Sequence, residues 1–308
     1  MEKFEQIYSQ QLCTSVSLIQ EISSQLAQQR GKKLRPMLTC LSAGACIGHV
    51  PDKKLYLAVA LELLHNSSLI HDDVVDESDM RRGQPTVNHR WGNKIAVLTG
   101  DFYLANAMAL LCQYASSDEM NIVNQTAVEM SEGELLQQQS SLRSDLSIQA
   151  YNATIYKKTA SLLSACCQVG QWSEEGSSIN MKKFGTHFGM AFQMRDDLLD
   201  YMPAAQTGKP YGNDLIEHKM TLPLIHYINR LGEHEAQHLM KMIESPMLGD
   251  EVVMQVIAGA DNSGALEDTR RDINKEIDLA IEELAQLPES EYKDSLVSLT
   301  ESLRPELI

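Results

Sequence analysis

The stretch that decides the fold is Leu69-Ile70-His71-Asp72-Asp73-Val74-Val75-Asp76-Glu77-Ser78-Asp79-Met80-Arg81-Arg82-Gly83. It closes residues 53–76, which are apolar almost all round through Leu55, Leu57, Ala58, Val59, Ala60, Leu61, Leu63, Leu64, Leu69, Ile70, Val74 and Val75. A helix that is hydrophobic on every side is buried. This one ends in carboxylates, and such a conflict between burial and charge points to function. Asp72 and Asp76 are four apart and share a helix face. Two carboxylates there repel unless a cation sits between them. Hard oxygen ligands of this kind suit magnesium, which keeps waters and shares its shell with phosphates. Arg81 and Arg82 follow in a loop, and arginine matches phosphate oxygens with a bidentate fork. The acidic face and the arginine pair together read as a metal–diphosphate clamp. An EF-hand is a poor fit, because Glu77 stands at the glycine position and Gly83 at that of the bidentate glutamate.

The spacing recurs in Gln193-Met194-Arg195-Asp196-Asp197-Leu198-Leu199-Asp200-Tyr201, where Asp196 and Asp200 are again four apart at the end of an apolar helix carrying Phe188, Ala191 and Phe192. Two such endings in one chain are far harder to dismiss as solvated helix ends than one. If their helices are neighbours, the carboxylates hold magnesium from two sides of one cavity. Weaker signals surround them. Gly31-Lys32-Lys33-Leu34-Arg35-Pro36 is a basic turn but no Walker loop, since the preceding glycine and strand are missing. Lys157-Lys158-Thr159 opens a run of small residues, and Gly212 to Pro223 carries Lys219. His65 lies seven residues before Asp72, on the same face.

Working outward, the chain has 308 residues, 43% of them hydrophobic, enough for a large core. Aromatics are sparse and strand signals nearly absent, so the fold class expected is all-α. Helices are predicted over 4–29, 36–47, 53–76, 94–115, 118–140, 148–170, 179–202, 214–231 and 233–245, with two or three more in 251–307. Residues 78–92 and 203–213 read as loops. No linker or repeat appears, so a single domain over 1–308 is expected. A net charge of −16 argues against nucleic acid as a partner. No run of about 18 uncharged apolar residues is present, and Met1 to Glu5 opens no secretion signal. Six scattered cysteines read as reduced thiols, and a cytoplasmic location is expected.

With these residues assembled, the chain resembles the trans-polyprenyl diphosphate synthases over about residues 25–300, and the run from Leu69 to Gly83 resembles the bacterial octaprenyl diphosphate synthases. The resemblance implies an isoprenoid synthase bundle of about a dozen helices around a central cavity, a homodimer, and Mg2+ as cofactor. It assigns Asp72, Asp76, Asp196 and Asp200 as metal ligands, with Asp73 and Asp197 in support. Isopentenyl diphosphate would be held at Lys32, Arg35, His65 and Arg82, and Arg81, Lys158, Thr159, Gln193, Lys209 and Lys219 would face the allylic diphosphate. The implied reaction ionises the allylic C–O bond, lets the isopentenyl double bond attack the cation, and loses a proton. Asn213 and His218 depart from the family pattern, which often has aspartate and glycine there.

Ser67 and Ser68 sit one helical turn before Asp72, where short-chain relatives carry bulky aromatics. Two small side chains leave the product tunnel open, so a long product is expected from a primer such as farnesyl diphosphate, with Met108 or Met130 as candidates for a deeper floor and a quinone side chain as the family use. Release of such a product implies transient membrane contact. A class I terpene cyclase would share the first motif but not the second, nor Lys32 and Arg35. A non-catalytic subunit would leave the acidic helix ends as solvated or partner-facing surfaces.

Overall fold

The computed structural model describes residues 2–28, 31–143, 146–172, 180–203, 212–245 and 248–305. Among them the chain is helical apart from one hairpin of two two-residue strands, as the all-α expectation requires. It forms two compact units. The first comprises Met1–Asn124, Cys166–Ile179 and Pro288–Lys293, the second Gln125–Ala165, Asn180–Leu287 and Asp294–Ile308. Several of these boundaries fall inside helices, which is why no linker is legible in the sequence.

The first unit carries α1 (Glu2–Gln11), α2 (Ser17–Gln28), α3 (Leu34–Ile47), α4 (Asp52–Val75), α5 (Val87–Trp91) and α6 (Asn93–Tyr114), with α1, α3, α5 and α6 packed on α4. The predicted entry helix over 4–29 is broken at 12–16, because Thr14 diverts the backbone: its hydroxyl accepts from the Val16 N–H at 3.2 Å and its carbonyl from Gln20 Nε2 at 2.6 Å. Helix α4 buries Leu57, Ala58, Val59, Ala60, Leu61, Leu63 and Ile70, each larger side chain contributing about 1.5–3 kcal/mol. Helix α6 packs along it. Ser67 Oγ donates to the Gly100 carbonyl at 2.8 Å, and a Cβ on Gly100 would lie 2.3 Å from His71 Nε2. Among the described residues α6 is one helix long and apolar enough to cross a membrane by length and composition. The count of uncharged residues passes over it because Asp101 interrupts the run. It buries Ala96, Thr99, Gly100, Tyr103, Ala107, Leu110 and Leu111 and leaves Val97, Leu98 and Met108 exposed.

Residues 78–92 are more than a loop. Strands β1 (Met80–Arg81) and β2 (Gln84–Pro85) pair antiparallel, and the turn residues Arg82 and Gly83 both have positive φ, at 51° and 74°. That is the pattern of a type I′ hairpin. An ammonium is also buried in this unit. Lys54 Nζ donates to Glu119 Oε1 at 2.7 Å and to the carbonyls of Val169 and Trp172 at 2.5 and 2.7 Å, closing the end of α9 (Ser161–Gln171). Glu119 in turn forms a capping box with Ser116 at the start of α7 (Ser117–Arg143).

In the second unit, α10 (Met181–Leu199) packs on the Ala265–Leu284 helix. The helix predicted over 148–170 is interrupted. Between α8 (Ile148–Ile155) and α9, residues Tyr156–Ala160 adopt π-helical hydrogen bonding. Glycines on two other helices admit this wider segment. A Cβ on Gly133 of α7 would lie 2.5 Å from the Lys158 nitrogen, and one on Gly189 of α10 would lie 2.5 Å from Ala160 Cα. The helix predicted over 214–231 is also split, into Asn213–Ile216 and Leu222–Arg230. His218 turns left-handed at φ 56°, Thr221 is extended at φ −89° and ψ 160°, and Pro223 sits in the first turn of the helix that follows. The left-handed turn explains why glycine suits that position; here the His218 Nδ1 group sits 2.8 Å from the Ile243 carbonyl. The tail carries three helices, Asp250–Asn262, Ala265–Leu284 and Glu291–Glu301.

Candidate active site

The first constellation lies where α4 ends. The Asp76 N–H donates to the Asp72 carbonyl at 2.8 Å, so the helical register continues to Asp76 and the two carboxylates stand one turn apart. Asp73, pointing to another face, is buried and receives Arg81 Nε on Oδ1 at 2.7 Å. Burial pushes its carboxyl above the ordinary value, against the pull of Arg81. The backbone beyond is pinned: Asn88 Nδ2 donates to the Asp73 and Ser78 carbonyls at 3.1 and 3.0 Å, and Thr86 Oγ1 to Ser78 at 2.6 Å. This lattice fixes the hairpin that presents Arg81 and Arg82.

Around it gather the basic residues of the Gly31–Pro36 turn. Burial, and then the charges of Arg35, Arg82, Arg81 and Lys33, hold the His65 imidazole well below its ordinary value, so it is neutral at neutral pH. Burial also lowers Arg35, whose Nε is enclosed and makes no hydrogen bond to the described residues. Like charges converging in this way store repulsion that a polyanion relieves. Lys32 is exposed. A cavity of about 670 Å³ adjoins, lined by Asp73, Arg81 and Arg82 and also by Tyr8, Lys33, Glu62 and Asn66, which the sequence reading did not single out. Ser67 is 2% exposed and turned to α6; Ser68 Oγ donates to the His65 carbonyl at 2.9 Å.

The second constellation lies where α10 ends. A cavity of about 160 Å³ brings together Lys158, Thr159, Gln193, Asp196, Asp197 and Lys219, residues spread over 62 positions of sequence numbering between 158 and 219 when both ends are counted. Its polar wall is a chain of oriented dipoles. Thr159 Oγ1 donates to Gln193 Oε1 at 2.8 Å, Gln193 Nε2 to Asp197 Oδ1 at 2.8 Å, and the Tyr151 hydroxyl to Asp197 Oδ2 at 2.7 Å. The Thr159 proton is thereby committed, and its oxygen lone pairs remain as acceptors. Lys158 pairs with Glu134 at 2.5 Å. Lys209 lies outside the described residues.

Asp214, which sequence reading left out of the site, lines this cavity too. Burial and the neighbouring Asp197 and Asp200 push its carboxyl up to about 8, and burial pushes Asp197 up to about 6. Asp200 is buried and accepts the Asn213 and Asp214 N–H groups at 3.1 and 2.9 Å. Because position 213 contributes its backbone there, asparagine in place of aspartate leaves that contact intact. The signal that could have found Asp214 is its place in the first turn of a helix opened by Gly212, whose φ is 74°.

The donor sets fit a hard divalent cation. They are carboxylates only, the hard oxygen donors that such an ion takes. Among the described residues no group of three or more His, Cys, Asp or Glu is assembled for a metal. Magnesium requires no such cage, taking one or two carboxylates with waters and substrate phosphates.

Comparison with known proteins agrees with this chemistry. The polyprenyl synthetase family pattern matches residues 16–259. The all-trans-nonaprenyl-diphosphate synthase (geranyl-diphosphate specific) of Rhodobacter capsulatus is 36% identical over 96% of this chain and 91% of its own. The octaprenyl diphosphate synthase of Escherichia coli (strain K12) is 35% identical over 94% and 90%. The crystal structure of a polyprenyl synthase from Caulobacter crescentus CB15, complexed with calcium and isoprenyl diphosphate, superposes with a TM-score of 0.91 at 31% identity, covering 97% of this chain and 92% of that one.

Proposed function

The chain belongs to the polyprenyl synthetase family and is a prenyltransferase making long-chain trans-prenyl diphosphates, and on that premise we propose that it extends farnesyl diphosphate with isopentenyl diphosphate to octaprenyl diphosphate, working as a homodimer with Mg2+. The observation that carries the assignment of residues is the second cavity, where one small space collects Lys158, Thr159, Gln193, Asp196, Asp197 and Lys219.

In this reading Asp72 and Asp76 would hold magnesium where α4 ends, and Asp196 and Asp200 would hold it where α10 ends, in each case for a substrate diphosphate. When bound, the metal supplies positive charge that stabilises the departing diphosphate. Lys158 and Lys219 add fixed cations to the same leaving group. The Thr159 oxygen, oriented through Gln193 and Asp197, faces positive charge as it develops on the allyl carbons. Arg35, Arg82 and Lys32 bind the second diphosphate, and neutral His65 contributes a hydrogen bond without adding to their repulsion. The proton lost in the last step goes to the released diphosphate, an anion already held beside the reacting carbons. The small side chains of Ser67 and Ser68 support a long product. An octaprenyl product rests on the likeness of residues 69–83 to octaprenyl synthases.

Incubation of the purified protein with farnesyl diphosphate, labelled isopentenyl diphosphate and Mg2+ tests the reading. Chains of eight units support it. Chains of another length correct the product, a cyclised hydrocarbon replaces the synthase by a cyclase, and absence of turnover refutes the assignment.

A further inference from the structure

Lys33 is an odd residue in the basic turn. It begins α3 with left-handed backbone angles, φ 50° and ψ 41°, a conformation that a residue with a side chain holds only when its surroundings impose it. They do so from two sides. Its ammonium stands 4.6 Å from the Tyr8 ring centroid and 5.8 Å from that of Phe4, two stacked rings of α1. On the other side it meets Glu62 Oε1 at 3.5 Å. Glu62 is 6% exposed and belongs to α4, one turn before His65. The Tyr8 hydroxyl in turn accepts from Asn66 Nδ2 at 2.8 Å, so the clamp is tied to α4 at both ends.

The charge of the same carboxylate also reaches Arg35. Burial lowers the Arg35 guanidinium, and Glu62 is the first counter-charge opposing it. Asp73 is already engaged by Arg81. The buried acids of this region are therefore divided, Asp73 serving the hairpin arginine and Glu62 the turn. Lys33 stands between Lys32 and Arg35, so its backbone angles set how far apart those two side chains emerge.

We propose that Glu62 and Lys33 form a positioning pair, clamped by the α1 aromatics, that fixes Lys32 and Arg35 for the diphosphate of the non-allylic substrate without touching it. The inference rests on the assignment of Lys32 and Arg35 to isopentenyl diphosphate made above. It gives α1 a part in the reaction that the aspartate motifs do not disclose.

Steady-state kinetics on the full chain tests this with Glu62→Gln, Lys33→Met and the double variant, each substrate varied in turn. Each single variant is expected to raise KM for isopentenyl diphosphate about tenfold, with kcat within about twofold and KM for the allylic substrate unchanged. The double variant should be no worse than the poorer single one, because both remove the same device. Tyr8→Leu should move the same KM in the same direction, and Tyr8→Phe, which keeps the ring face, should restore it. An unchanged KM for isopentenyl diphosphate in Glu62→Gln, multiplied effects in the double variant, or an equal fall in kcat for both substrates overturns the pair. Arg35→Met separates the two levels. If it raises that KM while Glu62→Gln does not, only the positioning pair fails; if Arg35→Met is also silent, the binding assignment beneath it fails.

Discussion

Gly133→Ala adds a single methyl group, and the structure says where it goes. The new Cβ would stand 2.5 Å from the Lys158 nitrogen and 2.9 Å from both Lys157 C and Lys158 Cα. These are backbone atoms of the π-helical segment and cannot swing aside as a side chain would. Ordinary contact at about 3.5–4.0 Å requires the two helices to part by about 1 Å. Overpacking of this kind costs about 1–3 kcal/mol, while alanine in place of glycine returns about 1 kcal/mol of helix propensity. The net loss of stability is therefore modest, about 0–2 kcal/mol, or a fall in Tm of no more than about 3 °C for a chain of this size. Catalysis should suffer more. Lys158 and Thr159 ride on the displaced segment, and a shift of about 1 Å at positioned groups can lower rate about a hundredfold. Thermal unfolding and steady-state turnover, measured together, provide the assay. A variant with wild-type kcat and unchanged Tm would show that the segment is not held by this close approach, and the account of the π-helical seat would be wrong.

Ser67→Phe places a ring where Ser67 now meets the Gly100 carbonyl, and chromatography of the products should show shorter chains; an unchanged distribution would mean that this turn does not limit length. Asp72→Ala should reduce turnover by about two orders of magnitude or more, measured at saturating Mg2+, and near-normal turnover would remove Asp72 from the metal site. Glu119→Gln leaves the Lys54 ammonium buried with carbonyl partners only, at a cost of about 3–5 kcal/mol, read by denaturant unfolding. Burial pushes the Glu119 carboxyl up, but hydrogen bonds from Lys53, Lys54 and Ser116 outweigh it and hold it below the ordinary value. A carboxyl so depressed stabilises the fold above its unfolded value, near 4.3, and that contribution is lost as pH falls through the folded value. The wild type should lose stability along that acid limb, and Glu119→Gln should show a flatter one.

Much of this architecture was legible because two features are local. The all-round apolar run of α4 and the paired aspartates at its end need only neighbours in sequence, as do those of α10. What escaped depends on distant partners. The π-helical segment exists because Gly133 and Gly189 lie against it from two other helices, and no periodicity within 148–170 encodes that. The break at 12–16 hangs on Thr14 side-chain chemistry that competes with an otherwise helical pattern. Glu62 was hidden by its surroundings, since a glutamate inside an apolar run looks like a solvated interruption until Lys33 and Arg35 are seen beside it. Asp214 was passed over because its importance comes from Asp197 and Asp200, brought near by the turn at Gly212.

The buried Lys54 ammonium carries a consequence for the order of assembly. It gathers groups lying 65, 115 and 118 residues further along the chain, so on a ribosome its three acceptors emerge long after it does. Until Trp172 has left the exit tunnel, Lys54 lacks its carbonyl partners, and the first turn of α4 stays hydrated although α3 and α6, which pack on the rest of the helix, have already emerged. A nascent chain in that interval carries in water an ammonium that the finished fold holds dry.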